Sequence, residues 1–223
     1  MPIDESVLNA SEEAYQQLRD RILDGTLKPG GSLIERDLCS QFGISRTPVR
    51  EALRRLTADG LAEMRPRRSI IVSSFCEEEL GEIFELGIVL ESFVAGLAAQ
   101  KASSADIGEL ETILADMEGL LQHRGDSESF AYAKLDQAFH DRIAQAAHNP
   151  RVSQILRQTV SLRLLANLME HYVPRDFKVS LTQHRMIVQA IAAGDAEWAQ
   201  TAMGSHIRTG RAAGRKVRVV SGE

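Results

Sequence analysis

Cysteine is scarce in this chain. Cys39 and Cys76 are its two examples in 223 residues, at unrelated positions and without a Cys-x-x-Cys pair. That argues against a disulfide framework and predicts reduced thiols in a cytoplasmic protein, as does the lack of a secretory leader ahead of the first helix. Long apolar runs are missing too. Even Gly87 to Ala99 is interrupted by Glu91, so nothing approaches the length that crosses a bilayer and no membrane partner is expected. There is no internal repeat and no low-complexity segment. Positive charge is in deficit overall, 26 Lys and Arg against 31 Asp and Glu, which for evenly spread charge would argue against a nucleic-acid partner.

The charge is not evenly spread. Residues 1–75 hold 11 basic and 11 acidic side chains, so the whole deficit lies beyond them. Within residues 46–68 there are seven Arg against Glu51, Asp59 and Glu63, a local +4. Local field outweighs net charge when the partner is a polyanion.

That basic segment begins with Ser45-Arg46-Thr47-Pro48-Val49-Arg50-Glu51-Ala52-Leu53. Ser45 suits an N-cap, Pro48 is tolerated in a first turn whose amides lack intrahelical partners, and Gly60 suits a C′ position, so a helix is predicted from about Arg46 to Asp59. At 100° per residue Val49, Ala52, Leu53 and Leu56 share one side, and Arg46, Thr47, Arg50 and Arg54 share an adjoining arc. The first set can pack and the second can face phosphates and base edges. Upstream, Ser32-Leu33-Ile34-Glu35 has capping-box spacing for a short helix to about Gln41, closed by Gly43. Before it, Ser11 is expected to open a helix carrying Ala14, Leu18 and Ile22 and ending at Gly25. After Gly60, Arg65-Pro66-Arg67-Arg68-Ser69 followed by Ile70-Ile71-Val72 suits a basic-tipped hairpin. Together these make a winged helix-turn-helix over residues 1–75.

The run Tyr15-x-x-Leu18-Arg19-Asp20-x-Ile22-Leu23-x-Gly25, then Leu27-x-Pro29-Gly30, Leu33-x-Glu35 and Ser45 to Leu53 resembles the GntR family of bacterial transcription regulators. The resemblance implies operator DNA contacts from Arg36, Ser45, Arg46, Thr47 and Arg50, with the wing reaching the minor groove through Arg68. Ser69 stands where many members place Gly at the wing tip. Binding to double-stranded, pseudo-palindromic DNA as a homodimer is also expected, because one short recognition helix rarely supplies enough specificity.

Residues 76–223 read as an antiparallel all-α bundle with helices at about Glu78 to Gln100, Ala105 to Gln122, Ser127 to Ala147, Arg151 to His171, Ser180 to Ala193 and Asp195 to Gly210. The basic stretch Arg208, Arg211, Arg215, Lys216 and Arg218 reads as a frayed tail. Asp136 and His140, at i and i+4, project from one helix face beside the apolar row Leu135, Phe139, Ile143. His184 rides with Ile187, Val188 and Ile191, and His206 with Ala199, Ala202 and Met203. A lone inward histidine is ordinarily a core residue with one satisfied hydrogen bond. Three with an inward carboxylate differ, since an uncompensated buried carboxylate is costly and a divalent cation offsets it. His123, His148 and His171 stand near helix ends, where solvated or capping roles are expected.

The order Asp136-x-x-x-His140, His184, His206 resembles the metal motif of the FCD domain, the effector-binding domain in the FadR branch of that family. The resemblance, over roughly residues 78–212, implies a divalent metal ion on those four residues and a dimerisation and effector-binding domain that senses a small organic acid. Oxygen and nitrogen donors suit Zn, Ni, Mn or Fe, and the sequence leaves that choice open. Gly87 occupies a position where many members carry an Arg for the effector's carboxylate, and Arg163 is the candidate to replace it. The competing readings are a metalloenzyme, against which stands the winged domain, and a metal that merely ties helices together.

Overall fold

The computed structural model describes residues 5–66, 69–74, 77–122, 128–159 and 174–220. They fall into two compact units, one through Glu77 and one from Glu78 onward. Arg68, Arg163, Cys76, His123 and His171 lie outside the described residues.

The first unit runs α1 (Glu5–Leu23), α2 (Glu35–Phe42), α3 (Arg46–Ala58), β1 (Ala62–Arg65) and β2 (Ser69–Val72). Helix α1 therefore starts before Ser11, and Ser11 is a buried interior residue, not a cap. The four-residue repeat Ala14, Leu18, Ile22 is buried as the spacing predicts, together with Val49, Ala52, Leu53 and Leu56 of α3. Each large side chain so buried contributes about 1.5–3 kcal/mol. Tyr15 adds a polar lock, its hydroxyl donating to Asp59 Oδ2 at 2.6 Å. Burial and the Asp59 carboxylate push the phenol well above its usual range.

The predicted capping box at Ser32 does not form. Ile34 is the extended N-cap of α2 and no side chain caps it. The backbone of this segment is instead used as a strand edge: Leu33 N–H donates to Ile70 O, Gly30 N–H to Val72 O, and Ser32 bridges Ile71. Backbone pairing to the wing outcompetes the local side-chain cap. Gly43 does close α2, in the left-handed conformation at φ 66°, its N–H bonded to Cys39 O. Ser45 occupies the N-cap of α3 with extended backbone but makes no side-chain cap bond. The wing is an antiparallel hairpin in the register Ala62↔Val72, Glu63↔Ile71, Met64↔Ile70 and Arg65↔Ser69.

The second unit contains α4 (Glu77–Lys101), α5 (Ser104–Gln122), α6 (Glu128–Ala146), α7 (Pro150–Thr159), α8 (Pro174–Ala192) and α9 (Ala196–Val220). Helix α5 packs on α6 and α8, and α8 on α9. Its core includes Leu110, Met117, Tyr132, Phe139, Ile143, Ile187, Ile191 and Met203. A true capping box starts α5: Ser103 Oγ accepts from Asp106 N–H, and Asp106 Oδ2 accepts from Ser103 N–H at 2.7 Å. Arg142 of α6 closes on the same carboxylate. Two boundaries depart from the sequence reading. Helix α8 starts at Pro174, since proline at a first helical position loses no hydrogen bond. Helix α9 continues to Val220, so the basic stretch is helical, not frayed, and within it Arg211 lies over Phe84 and reaches Glu85.

Candidate functional sites: a basic helix face and a buried Asp/His cluster

In the first unit, burial of Val49, Ala52, Leu53 and Leu56 against α1 turns the opposite side of α3 outward. Ser45, Arg46, Thr47 and Arg50 are exposed there, and Arg36 is exposed on α2. Arg50 Nε is pinned to Glu35 at 2.9–3.0 Å, a neighbour that helical spacing does not reveal. Arg36 pairs with adjacent Asp37 at 3.3 Å. Arg54, placed on the same arc, pairs with Glu51 of its own helix. Arg55 faces the other way, stacked over Tyr15 and bonded to Glu12. Arg46 and Thr47 thus stand at the open N-terminal end of α3, where unpaired amides and the helix dipole favour an anion. Ser69 begins β2, its hydroxyl donating to Pro66 O at 3.4 Å.

In the second unit, three helices converge on one point. Asp136 and His140 come from α6, His184 from α8 and His206 from α9. One donor atom from each lies within 4.8 Å of every other. His184 Nε2 is 3.2 Å from Asp136 Oδ1 and 3.1 Å from His206 Nε2, and His140 Nε2 is 3.3 Å from His206 Nε2. Two donors bound at ~2.0–2.1 Å to one ion, at angles near tetrahedral, lie roughly 3.3 Å apart. The inward orientation read from helical spacing is correct: Asp136 and His184 are wholly buried and His206 nearly so. Phe139 holds the His184 ring, centroids 4.4 Å apart.

The polar groups of this cluster are under-satisfied. Both carboxylate oxygens of Asp136 and the Nδ1 atoms of His140, His184 and His206 are buried without an aligned hydrogen-bond partner. Asp136 Oδ1 and His184 Nε2, 3.2 Å apart, miss hydrogen-bond alignment. Such orphaned atoms are costly in a dry interior.

One member of the cluster goes beyond the sequence reading. Glu91 of α4 is buried, and its Oε2 sits 2.6 Å from His140 Nδ1. Its signal is the single charge interrupting the apolar run Gly87 to Ala99, which by itself only excludes a membrane span. Glu91 sets the protonation pattern. Burial opposes charge on His140, but Glu91 and then Asp136 outweigh it and raise its pKa to about 9. Burial would raise Asp136, but His184 and the charge on His140 hold it at about 2. Burial lowers His184, and it lowers His206 further, with its two histidine neighbours adding to the effect. Donor spacing and the orphaned atoms fit a divalent cation held by Asp136, His140, His184 and His206.

A small pocket of about 20 Å³ reaches His206 between Asp176, Val179, Ser180, Gln183, Thr209 and Gly210. That is room for roughly one water. Of the remaining histidines, His148 is exposed at the end of α6, 3.6 Å from Asp106, in the terminal position expected of it. Gly87 is buried on α4.

A helix-turn-helix with a two-stranded wing, ahead of an all-helical unit with a buried Asp/His cluster, defines a class of DNA-binding regulator. Residues 10–72 match the gntR family of bacterial regulatory proteins and residues 82–209 match the FCD domain. The chain belongs to this family, and it is a DNA-binding transcriptional regulator, not an enzyme. The HTH-type transcriptional regulator LutR of Bacillus subtilis is 31% identical over 208 residues, covering 83% of this chain and 92% of LutR. The gluconate operon transcriptional repressor of Bacillus licheniformis is 28% identical over 80% of this chain and 74% of its own length. Among solved structures, Escherichia coli McbR/YncC superposes with a TM-score of 0.77 at 24% identity, covering 94% of this chain and 98% of its own, which supports the fold. No helix among the described residues is long and apolar enough to cross a membrane.

Proposed function

We propose that the chain is a metal-containing, ligand-responsive regulator that binds a pseudo-palindromic operator as a dimer in the cytoplasm and senses a small organic acid. Residues 1–75 read DNA and residues 76–223 dimerise and bind the effector. Arg36, Ser45, Arg46, Thr47 and Arg50 contact the operator, with Arg68 of the wing. Asp136, His140, His184 and His206 hold the metal, and Glu91 orients His140 so that Nε2 faces the ion. The observation that carries this reading is the convergence of four donor atoms from Asp136, His140, His184 and His206, with orphaned buried polar atoms, inside the FCD unit.

When bound, the ion supplies an acidic centre for a carboxylate or hydroxy acid. The chain's residues do the rest. His206 lines a small pocket with residues of α8 and α9. Coupling to DNA binding requires that the effector bind two states with different affinity. Arg163 is the candidate partner for the acid's charge. The burial of the cluster also favours a second reading, an ion that only ties α6, α8 and α9 together.

Two measurements test the proposal. A panel of organic acids should raise the melting temperature of the metal-loaded protein and leave the stripped or His184→Ala protein unshifted, since stabilisation follows ligand occupancy of the native state. Equal shifts in all three exclude metal-assisted sensing. Replacing Arg46 and Arg50 by Ala should weaken operator binding and lower the salt-dependence slope by roughly 0.9 for each phosphate that is no longer neutralised. Unchanged binding at fixed salt refutes the assigned face.

A further inference from the structure

Two arginines one turn apart on the outer arc of α3 stand in different surroundings. Arg46 and Arg50 are both exposed, at i and i+4. Arg46 makes no ion pair among the described residues. Arg50 gives its Nε–H to both oxygens of Glu35, at 3.0 and 2.9 Å, in a three-centre bond between α2 and α3. Its two Nη groups make no hydrogen bond among the described residues, so the guanidinium is held by its side and open at its end.

Both partners stand on fixed backbone. Glu35 opens α2 between the buried Leu33 and Leu38, and Leu33 N–H is bonded to Ile70 O of the wing at 2.8 Å. Arg50 lies between the buried Val49 and Ala52. With side chains 35% and 62% exposed, the Glu35–Arg50 pair adds little to folding stability. What it changes is geometry and field. With Nε taken, the two Nη groups form an end-on fork that can span guanine O6 and N7. The adjoining carboxylate repels phosphate, which disfavours the alternative use of the same arginine as a backbone contact. We propose that Glu35 is a positioning residue for DNA recognition: it presents Arg50 to a guanine edge and keeps it from a phosphate. This rests on the reading of Arg50 as an operator contact and adds what Arg50 reads and which residue makes it so.

The test is selection of bound duplexes from a random-sequence pool by the full chain, in wild type, Glu35→Gln, Arg50→Ala and the double variant. Each protein's affinity for one random-sequence duplex is also followed over a salt series. Arg50→Ala should abolish a G·C preference at one position of each half-site. Glu35→Gln keeps the side chain's size at a half-exposed position, so the melting temperature should hold. It should weaken the preference at that same position at least ~5-fold, the lower end of what a bidentate pair discriminates. Its affinity for the random-sequence duplex should rise and the salt slope steepen by roughly 0.9, as the released Arg50 neutralises one more phosphate. In the double variant that steepening should vanish. An unchanged base preference in Glu35→Gln, a loss at positions that Arg50→Ala leaves intact, or a steepening that persists without Arg50 overturns the proposal and leaves the Arg50 contact standing. An Arg50→Ala profile identical to wild type overturns both.

Discussion

Asp136→Asn removes one charge from the buried cluster while keeping the shape of the side chain, so it distinguishes a metal ligand from a structural carboxylate. In the metal-free wild type the Asp136 carboxylate is buried with both oxygens orphaned. The Asn variant removes that buried charge, so metal-free stability should be kept or gained. The ion-bound variant has one weaker oxygen donor and one negative charge fewer to offset the ion. For an ion at a thousand times its dissociation constant, wild type gains about 4 kcal/mol. At roughly 2–4 °C per kcal/mol for a chain of this size, its melting temperature should rise by about 8–16 °C. Losing even a hundredfold in affinity, the upper figure for an outer-shell partner, leaves the variant at ten times its own constant, about 1.4 kcal/mol and ~3–6 °C. The assay is thermal unfolding of stripped protein titrated separately with Zn²⁺, Ni²⁺, Mn²⁺ and Fe²⁺, with bound metal quantified after desalting. An undiminished shift in the variant would refute ligation by Asp136. A stripped variant melting several degrees below stripped wild type would show that the carboxylate is structural.

Two further outcomes follow from individual side chains. Glu91→Gln keeps a hydrogen-bond acceptor but removes the charge that orients and protonates His140, so metal affinity should fall about 10–100-fold with the fold intact; an unchanged constant in chelator competition would show that the pairing is incidental. Asp106 is held below the ordinary aspartate value of 3.8 first by the Ser103 side-chain and backbone hydrogen bonds and then by Arg142. A lowered folded pKa means stability that is full above 3.8 and is lost as pH falls through the folded value. Asp106→Asn should therefore cost on the order of 1 kcal/mol at neutral pH and progressively less in more acid solution. A difference from wild type that persists undiminished at the acid end of a denaturant series would contradict this.

Local pattern carries the sequence reading furthest. The arc of Arg46, Thr47 and Arg50 opposite Val49, Ala52, Leu53 and Leu56 follows from the 3.6-residue period alone, and the structure exposes one set and buries the other. The same period turns Asp136, His140, His184 and His206 inward. It fails where a distant segment competes for the same groups. Ser32 has the spacing of a cap, yet Leu33 and Gly30 give their amides to β2, some forty residues away.

The chain by itself thus determined which sides of α3, α6, α8 and α9 face inward, because side-chain direction is set by backbone geometry within a few residues. Only the tertiary structure decided that His140 and His206, 66 positions apart, share a point 3.3 Å across, and that Glu91 from a fourth helix stands behind them. Such distances depend on how helices pack against one another, and no local period encodes that.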